Sequence, residues 1–170
     1  RGLVSMPSPK DYSTGYMFYK SLVNAWGEKK ALAYFDKLTG NILQYTKSGS
    51  GPLKAVSEGK AAVGPGTTAT AVAAINEGQP IKLAFFPEGA PYTVYGQAVI
   101  KGKEQRQAVR DVFNFLVSTF NYENCKLYMP EKLYKDRTFT LKNYPQNIVY
   151  ADMSNDTVEE KGRLLAKWKY

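Results

Sequence analysis

Short apolar segments alternate with amphipathic helical segments along the first 120 residues, and this alternation restricts the folds open to the chain. Apolar runs predict strands at 3–6, 42–45, 61–63, 81–86 and 92–100. Apolar residues at helical spacing predict helices at 14–26, 28–38, 53–58, 68–76 and 104–117. The pattern predicts an α/β fold with a mixed, largely parallel sheet flanked by helices.

The last 50 residues are less regular, because Tyr, Lys and Asn dominate 121–150. We expect one short helix near 131–134 and a better-marked final helix. Asp156 and Glu159 have the spacing of a capping box, which predicts the start of that final helix. Val158, Leu164 and Trp168 then supply its apolar stripe.

Composition excludes several kinds of chemistry. The chain has 170 residues, no histidine and one cysteine, Cys125. Ser-His-Asp and Cys-His catalysis therefore cannot be built, and neither can a histidine-rich metal site or a disulfide within the chain. No general base lies beside a plausible nucleophile in the sequence. We predict that the protein is not an enzyme and has no resident metal or cofactor.

The charge balance is basic but dispersed. There are 23 Lys and Arg against 15 Asp and Glu, a formal net charge of +8. The basic residues occur singly or in pairs among acidic neighbours, so we predict a solvated surface that attracts anions and no binding of nucleic acid. The longest apolar runs are far shorter than a membrane span.

Three turns built from small and hydroxyl-bearing residues each stand directly before a predicted helix. A helix N-terminus offers unpaired N–H groups and the positive end of a dipole, and glycine lets a ligand come close. Each turn alone is typical of an ordinary helix cap. If they converge at one edge of the sheet, they form a cradle for a small anion. The turns are Ser13-Thr14-Gly15, Ser48-Gly49-Ser50 and Gly66-Thr67-Thr68.

An ordered set of segments between Leu3 and Ser118 carries a family resemblance. The segments are PSPKDYSTGY at 7–16, AWGE at 25–28, AVSEGKAAVG at 55–64, EGQPI at 77–81, PEG at 87–89, GQAVIKG at 96–102 and FNFLVS at 113–118. Taken in this order, they resemble the second lobe of bacterial extracellular solute-binding proteins of ABC importers. The branch they resemble includes ferric-ion and phosphonate binders.

The resemblance implies one lobe of a type 2 periplasmic-binding-protein fold. It implies a protein that captures a small anionic solute, such as a phosphonate or sugar phosphate, between two lobes and delivers it to an ABC permease in the membrane. The implied location is extracellular or periplasmic, either soluble or anchored by lipid through an N-terminal segment that precedes Arg1.

The resemblance also implies a division of the chain. Residues 1–91 would form ligand-binding lobe 2, and 92–120 a strand and helix that return through the hinge to pack on the first lobe. Residues 121–170 would form a C-terminal segment whose final helix returns to lobe 2. We expect the apolar face of the helix at 104–118 to be covered by the missing N-terminal lobe or by a second copy.

Departures from the family pattern bear on the ligand. In the ferric-ion branch, adjacent tyrosines follow the strand after the "GE" turn, whereas here the loop Gly64–Ala69 has none. The Thr-rich loop resembles that of relatives which hold organic anions. Tyr16 and Tyr92 would pack on the carbon portion of the ligand, and Glu88 would contact an amine. A ferric-ion carrier and the ligand-sensing domain of a transcription regulator remain alternatives.

Overall fold

The computed structural model describes residues 2–131 and 134–170, so the short helix expected near 131–134 falls partly outside the described residues. The described chain forms two compact units. The first contains residues up to 93 together with 145–170, and the second contains 94–144.

A small parallel sheet organises the first unit. Strand β1 (Val4–Pro7) pairs in parallel with β2 (Ile42–Thr46). Val63 joins the other side of β1 through a parallel bridge to Val4, and its carbonyl accepts a hydrogen bond of 3.0 Å from the Ser5 amide. The chain at 61–63 is thus the third parallel member, and the predicted α/β fold with a largely parallel sheet is confirmed.

Four helices follow these strands in the first unit. They are α1 (Ser13–Trp26), α2 (Glu28–Thr39), α3 (Gly51–Ser57) and α4 (Thr68–Asn76). All four agree with the sequence predictions to within two residues. Gly27 separates α1 from α2 with φ of 80°, a backbone conformation that favours glycine over residues with a side chain.

The core of this unit includes residues from the C-terminal end of the chain. Helix α7 (Val158–Lys167) buries Leu164 completely, and Trp168 follows it with 2% of its surface exposed. The Trp168 ring packs against Tyr19 and Phe35 with centroid separations of 5.2 and 4.9 Å. A buried aromatic side chain typically contributes several kcal/mol to the free energy of unfolding. The last 15 residues are therefore integral to the fold.

The predicted cap of α7 was wrong by one residue. The N-cap is Thr157, whose Oγ1 accepts a hydrogen bond of 3.1 Å from the Glu160 amide. Asp156 lies one residue before the cap, and its carboxylate accepts a hydrogen bond from the Tyr16 hydroxyl. The pairs Asp156–Glu159 and Thr157–Glu160 have the same spacing in sequence, so spacing alone does not identify the capping residue.

Two predicted strands, 81–86 and 92–100, are also wrong, since the structure assigns no strand to either segment. A strand requires a neighbouring backbone to pair with its N–H and C=O groups. Instead, Phe86 packs edge-to-face on Phe18 with centroids 5.6 Å apart. The backbone of Ala90 makes an isolated parallel bridge to Tyr150.

The second unit has one continuous helical stretch. It contains α5 (Gln107–Asn114), a π-helical segment (Phe115–Phe120) and α6 (Asn121–Leu127). The helix predicted at 104–117 therefore begins three residues late, changes its winding at Phe115 and continues to Leu127. Neither α5 nor the π-helical segment has a buried residue. Among the described residues, no helix is long and apolar enough to cross a membrane.

Gly15 provides a test of how α1 is seated on β1. A Cβ at this position would lie 2.2 Å from the Pro7 carbonyl oxygen and 2.8 Å from the Pro9 nitrogen. We expect Gly15→Ala to lower the free energy of unfolding by about 2 kcal/mol or more, because α1 must move away from the end of β1. Chemical denaturation measures this loss.

Gly162→Ala is the matched control. Gly162 lies within α7, and a Cβ there would meet nothing within 4 Å. We expect the free energy of unfolding of that variant to rise by up to about 1 kcal/mol, because alanine is the better helix former. Equal stabilities for the two variants would contradict the close packing of Gly15.

Candidate functional site

The three hydroxyl-bearing turns lie at one edge of the parallel sheet. Strand β1 ends at Pro7, β2 ends at Thr46, and the third parallel chain passes through Val63. Since the three chains run in the same direction and are hydrogen-bonded neighbours, their carboxyl ends meet at the same edge. The segments leaving this edge lead into α1, α3 and α4.

Close contacts link the turns to one another. A Cβ on Gly49 would lie 2.4 Å from Cε1 of Tyr12, so the backbone of the second turn lies against the residue that precedes α1. A Cβ on Gly64 would lie 2.8 Å from the carbonyl oxygen of Pro52, in the first turn of α3. This second contact lies two residues before the third turn, so it places the segment that leads into α4 beside the start of α3.

The start of α1 has backbone donors that no side chain caps. Tyr12 occupies the N-cap position with extended φ and ψ of −145° and 137°, and its side chain makes no capping hydrogen bond. The amides of the first turn, at Ser13, Thr14 and Gly15, therefore have no side-chain cap. Ser13 is exposed, whereas Thr14 and Gly15 are buried, and Gly15 lies against the end of β1. Ser13 thus offers an uncapped amide and a hydroxyl at the exposed end of this turn.

The other two starts are partly capped by their own side chains. The Ser48 hydroxyl accepts a hydrogen bond of 3.2 Å from the Gly51 amide, while Ser50 is the N-cap of α3 and makes no capping bond. The Thr67 hydroxyl accepts a bond of 3.4 Å from the Thr70 amide and lies 2.7 Å from the Thr70 hydroxyl. Gly66 and Thr67 are exposed, and Thr68 is half-buried.

The other three predicted ligand residues, Tyr16, Glu88 and Tyr92, make contacts elsewhere within the first unit. Tyr16 is 2% exposed and belongs to the core. Glu88 accepts a hydrogen bond of 3.0 Å from the indole of Trp26, the last residue of α1 and about 20 Å along that helix from its first turn. Tyr92 packs edge-to-face on Tyr150, with centroids 5.5 Å apart.

Sequence reasoning missed Tyr12 at this edge. Its ring lies against the glycine turn and is 42% exposed, so it borders the same opening as Ser13. The available signal was the glycine between two serines at 48–50, because a missing Cβ often marks a close neighbour. The identity of the neighbour, Tyr12, could not be predicted from that segment because Tyr12 lies in a different part of the sequence.

The donors at this edge suit an anion. They are backbone N–H and hydroxyl groups at helix starts, where the helix dipole is positive. Across residues 2–131 and 134–170, no group of three or more His, Cys, Asp or Glu side chains is arranged to hold a metal ion.

Comparisons with known proteins agree with this architecture. The structure is similar to that of the periplasmic binding protein AfuA from Actinobacillus pleuropneumoniae, with a TM-score of 0.76, 25% sequence identity and 99% of this chain covered. An uncharacterized protein of Haemophilus influenzae is 32% identical over 102 residues, which is 60% of this chain. The chain spans 55% of the AfuA structure and 30% of the Haemophilus protein.

The sequence model for bacterial extracellular solute-binding proteins matches residues 3–120, more than half of the chain. The fold is that of a lobe of a periplasmic binding protein, in agreement with the likeness to AfuA. The chain belongs to the bacterial extracellular solute-binding protein family.

Proposed function

We propose that the chain is part of the substrate-binding component of an ABC importer and that its sheet edge holds a small organic anion. The proposed ligands are sugar phosphates, phosphonates or similar anions, captured between this lobe and a second one. The proposed site consists of the three turns at the carboxyl edge of the sheet, with Tyr12 beside them. Capture takes place outside the cytoplasm, and a membrane permease receives the ligand.

The convergence of three helix starts at one sheet edge carries this proposal. The α1 start contributes uncapped amides and the hydroxyl of the exposed Ser13, and the exposed residues Ser50 and Thr67 lie on the neighbouring turns. Hydrogen bonds to a charged acceptor are stronger than those between neutral groups, so these donors favour a phosphate or phosphonate over a neutral solute. The similar AfuA protein was solved with exogenous fructose 6-phosphate bound, which is an anion of this class.

The proposed role is binding, without catalysis. The side chains at the proposed site are hydroxyls, a tyrosine and glycine backbone, and no histidine exists in the chain to activate a hydroxyl. A site of this composition holds and releases an anion. No observed contact favours a ferric-ion carrier or the sensing domain of a regulator, and both are distinguishable outcomes of the ligand experiment.

Thermal shift and calorimetry on the intact two-lobed protein test the ligand. We expect fructose 6-phosphate, a phosphonate or inorganic phosphate to raise the melting temperature. We expect Ser13→Ala to weaken the affinity for the best anion by about tenfold, because a hydrogen bond to a charged group is lost. Thr157→Ala is the matched control: it removes a cap worth about 0.5–2 kcal/mol from α7, and the affinity should not change.

Unchanged melting curves with every anion would remove the anion proposal. A shift with ferric ion alone would restore the metal alternative. A helix-turn-helix domain preceding this region in the gene would favour a regulator, whereas a lipoprotein signal would favour transport.

A first lobe is the proposed cover for the apolar face of α5 and the π-helical segment. Three apolar side chains on this face are far more exposed than those of a hydrophobic core: Val112 is 59% exposed, Phe115 53% and Phe120 50%. The chain spans 55% of the similar AfuA structure, so a protein of that length has enough further sequence for another lobe. We therefore assign 94–120 to the part of the protein that packs on that lobe.

Light scattering on the 170-residue chain tests this assignment. We expect concentration-dependent association above the monomer mass of 19.0 kDa, because the apolar face lacks its cover. Val112→Asp should restore the monomer, whereas Val158→Asp, at a residue 84% exposed on α7, should leave the association unchanged. A strict monomer of the unmodified chain would contradict the proposal, and a tight dimer of fixed stoichiometry would favour a second copy as the cover.

A further inference from the structure

One face of α1 carries a polar stripe, which we define as Tyr16, Lys20 and Asn24. These residues are spaced at i, i+4 and i+8, so they lie one above another on the helix surface. All three contact the segment before and at the start of α7. The contacts are Tyr16 Oη to Asp156 Oδ1 at 2.6 Å, Lys20 Nζ to Glu160 Oε1 at 3.9 Å, and Asn24 Nδ2 to the carbonyl oxygens of Asp152 and Ser154 at 2.9 and 3.1 Å.

Burial separates this stripe from an ordinary solvated helix face. Tyr16 is 2% exposed and Lys20 only 1%, and lysine is almost never buried unless it is paired. Burial and the neighbouring Asp156 carboxylate raise the pKa of the Tyr16 hydroxyl well above its ordinary value. The hydroxyl therefore remains a hydrogen-bond donor at every physiological pH.

The partner segment has a local hydrogen bond of its own. Asp152 Oδ1 accepts a hydrogen bond of 2.8 Å from the Ser154 amide. The Lys161 ammonium lies 5.0 Å from the centre of the Tyr16 ring. Asp156 presents its carboxylate to α1 from this segment.

Tyr16 is the residue that follows the proposed ligand-binding turn of α1. Gly15 seats this turn on the end of β1, and the hydroxyl of Tyr16 ties the next position to Asp156. The two contacts together fix both the position of the first turn and the rotation of α1 about its own axis. The direction of the uncapped amides at 13–15 depends on that rotation.

We propose that Asp156 is a positioning residue for ligand binding: through the Tyr16 hydroxyl it orients the first turn of α1 toward the anion. This inference rests on the proposed function for its effect on affinity. Sites lose affinity when the residues that support the ligand contacts are loosened, even where those residues do not touch the ligand. Asp156 acts in this way from about 140 positions further along the chain than the turn it orients.

Hydrogen–deuterium exchange and calorimetry test the proposal with four variants. In Tyr16→Phe and Asp156→Ala of the full 170-residue chain, exchange of the hydrogen-bonded amides at 16–20 should accelerate about tenfold. Asp156→Asn should restore slow exchange, because an amide oxygen still accepts from the tyrosine hydroxyl. Thr157→Ala, which removes the cap of α7 without touching Tyr16, should leave exchange at 16–20 unchanged.

The variants with faster exchange should also bind fructose 6-phosphate more weakly, as measured by calorimetry on the intact two-lobed protein. We expect about tenfold weaker binding in Tyr16→Phe and Asp156→Ala, no further loss in the double variant, and binding within about twofold of the unmodified protein in Asp156→Asn. Equal effects of Tyr16→Phe and Thr157→Ala on exchange at 16–20 would overturn the positioning role. No binding by the unmodified protein would instead overturn the proposed function, and the exchange result would still decide the inference.

Discussion

The parallel pairing of β2, β1 and the chain at Val63 is the constraint on which the proposed site depends. Parallel neighbours end at the same edge, so the two strands and the bridging chain at Val63 direct three segments that are far apart in sequence toward one edge. Gly15 then allows α1 to begin in direct contact with the end of β1. The same geometry accounts for the uncapped amides and the exposed hydroxyls at one place.

The C-terminal segment completes the first unit from the opposite end of the chain. Trp168 and Leu164 fill the core between α1 and α2, while Asp156 ties down the start of α1. Helix α7 is also joined to α2 by Arg163, whose guanidinium lies 2.6 Å from Glu28. Hydrogen bonds from Lys167 and Arg163 lower the pKa of that carboxyl group, in keeping with a stable ionic contact. Core packing and the proposed positioning of the ligand site thus depend on one segment.

Features encoded over short stretches of sequence were predictable. Helices α1 to α4 follow from apolar spacing and from stops such as Gly27, and the alternation with strands indicated the parallel sheet. Features decided by distant neighbours were not. The segment at 81–86 has the composition of a strand but has no neighbouring backbone to pair with. Asp156 was predicted to cap α7 but instead accepts a hydrogen bond from Tyr16. Glu88 likewise pairs with Trp26, a partner that no local pattern could indicate.

The central claim is that an anion binds where the three helix starts meet. Amide chemical shifts recorded during titration of the intact protein with fructose 6-phosphate test this claim most directly. We predict that, within this region of the sequence, the largest shifts fall on Ser13, Thr14 and Gly15, with further shifts around Ser50 and Thr68. Shifts concentrated instead at the other end of α1, near Trp26 and Glu88, would contradict it.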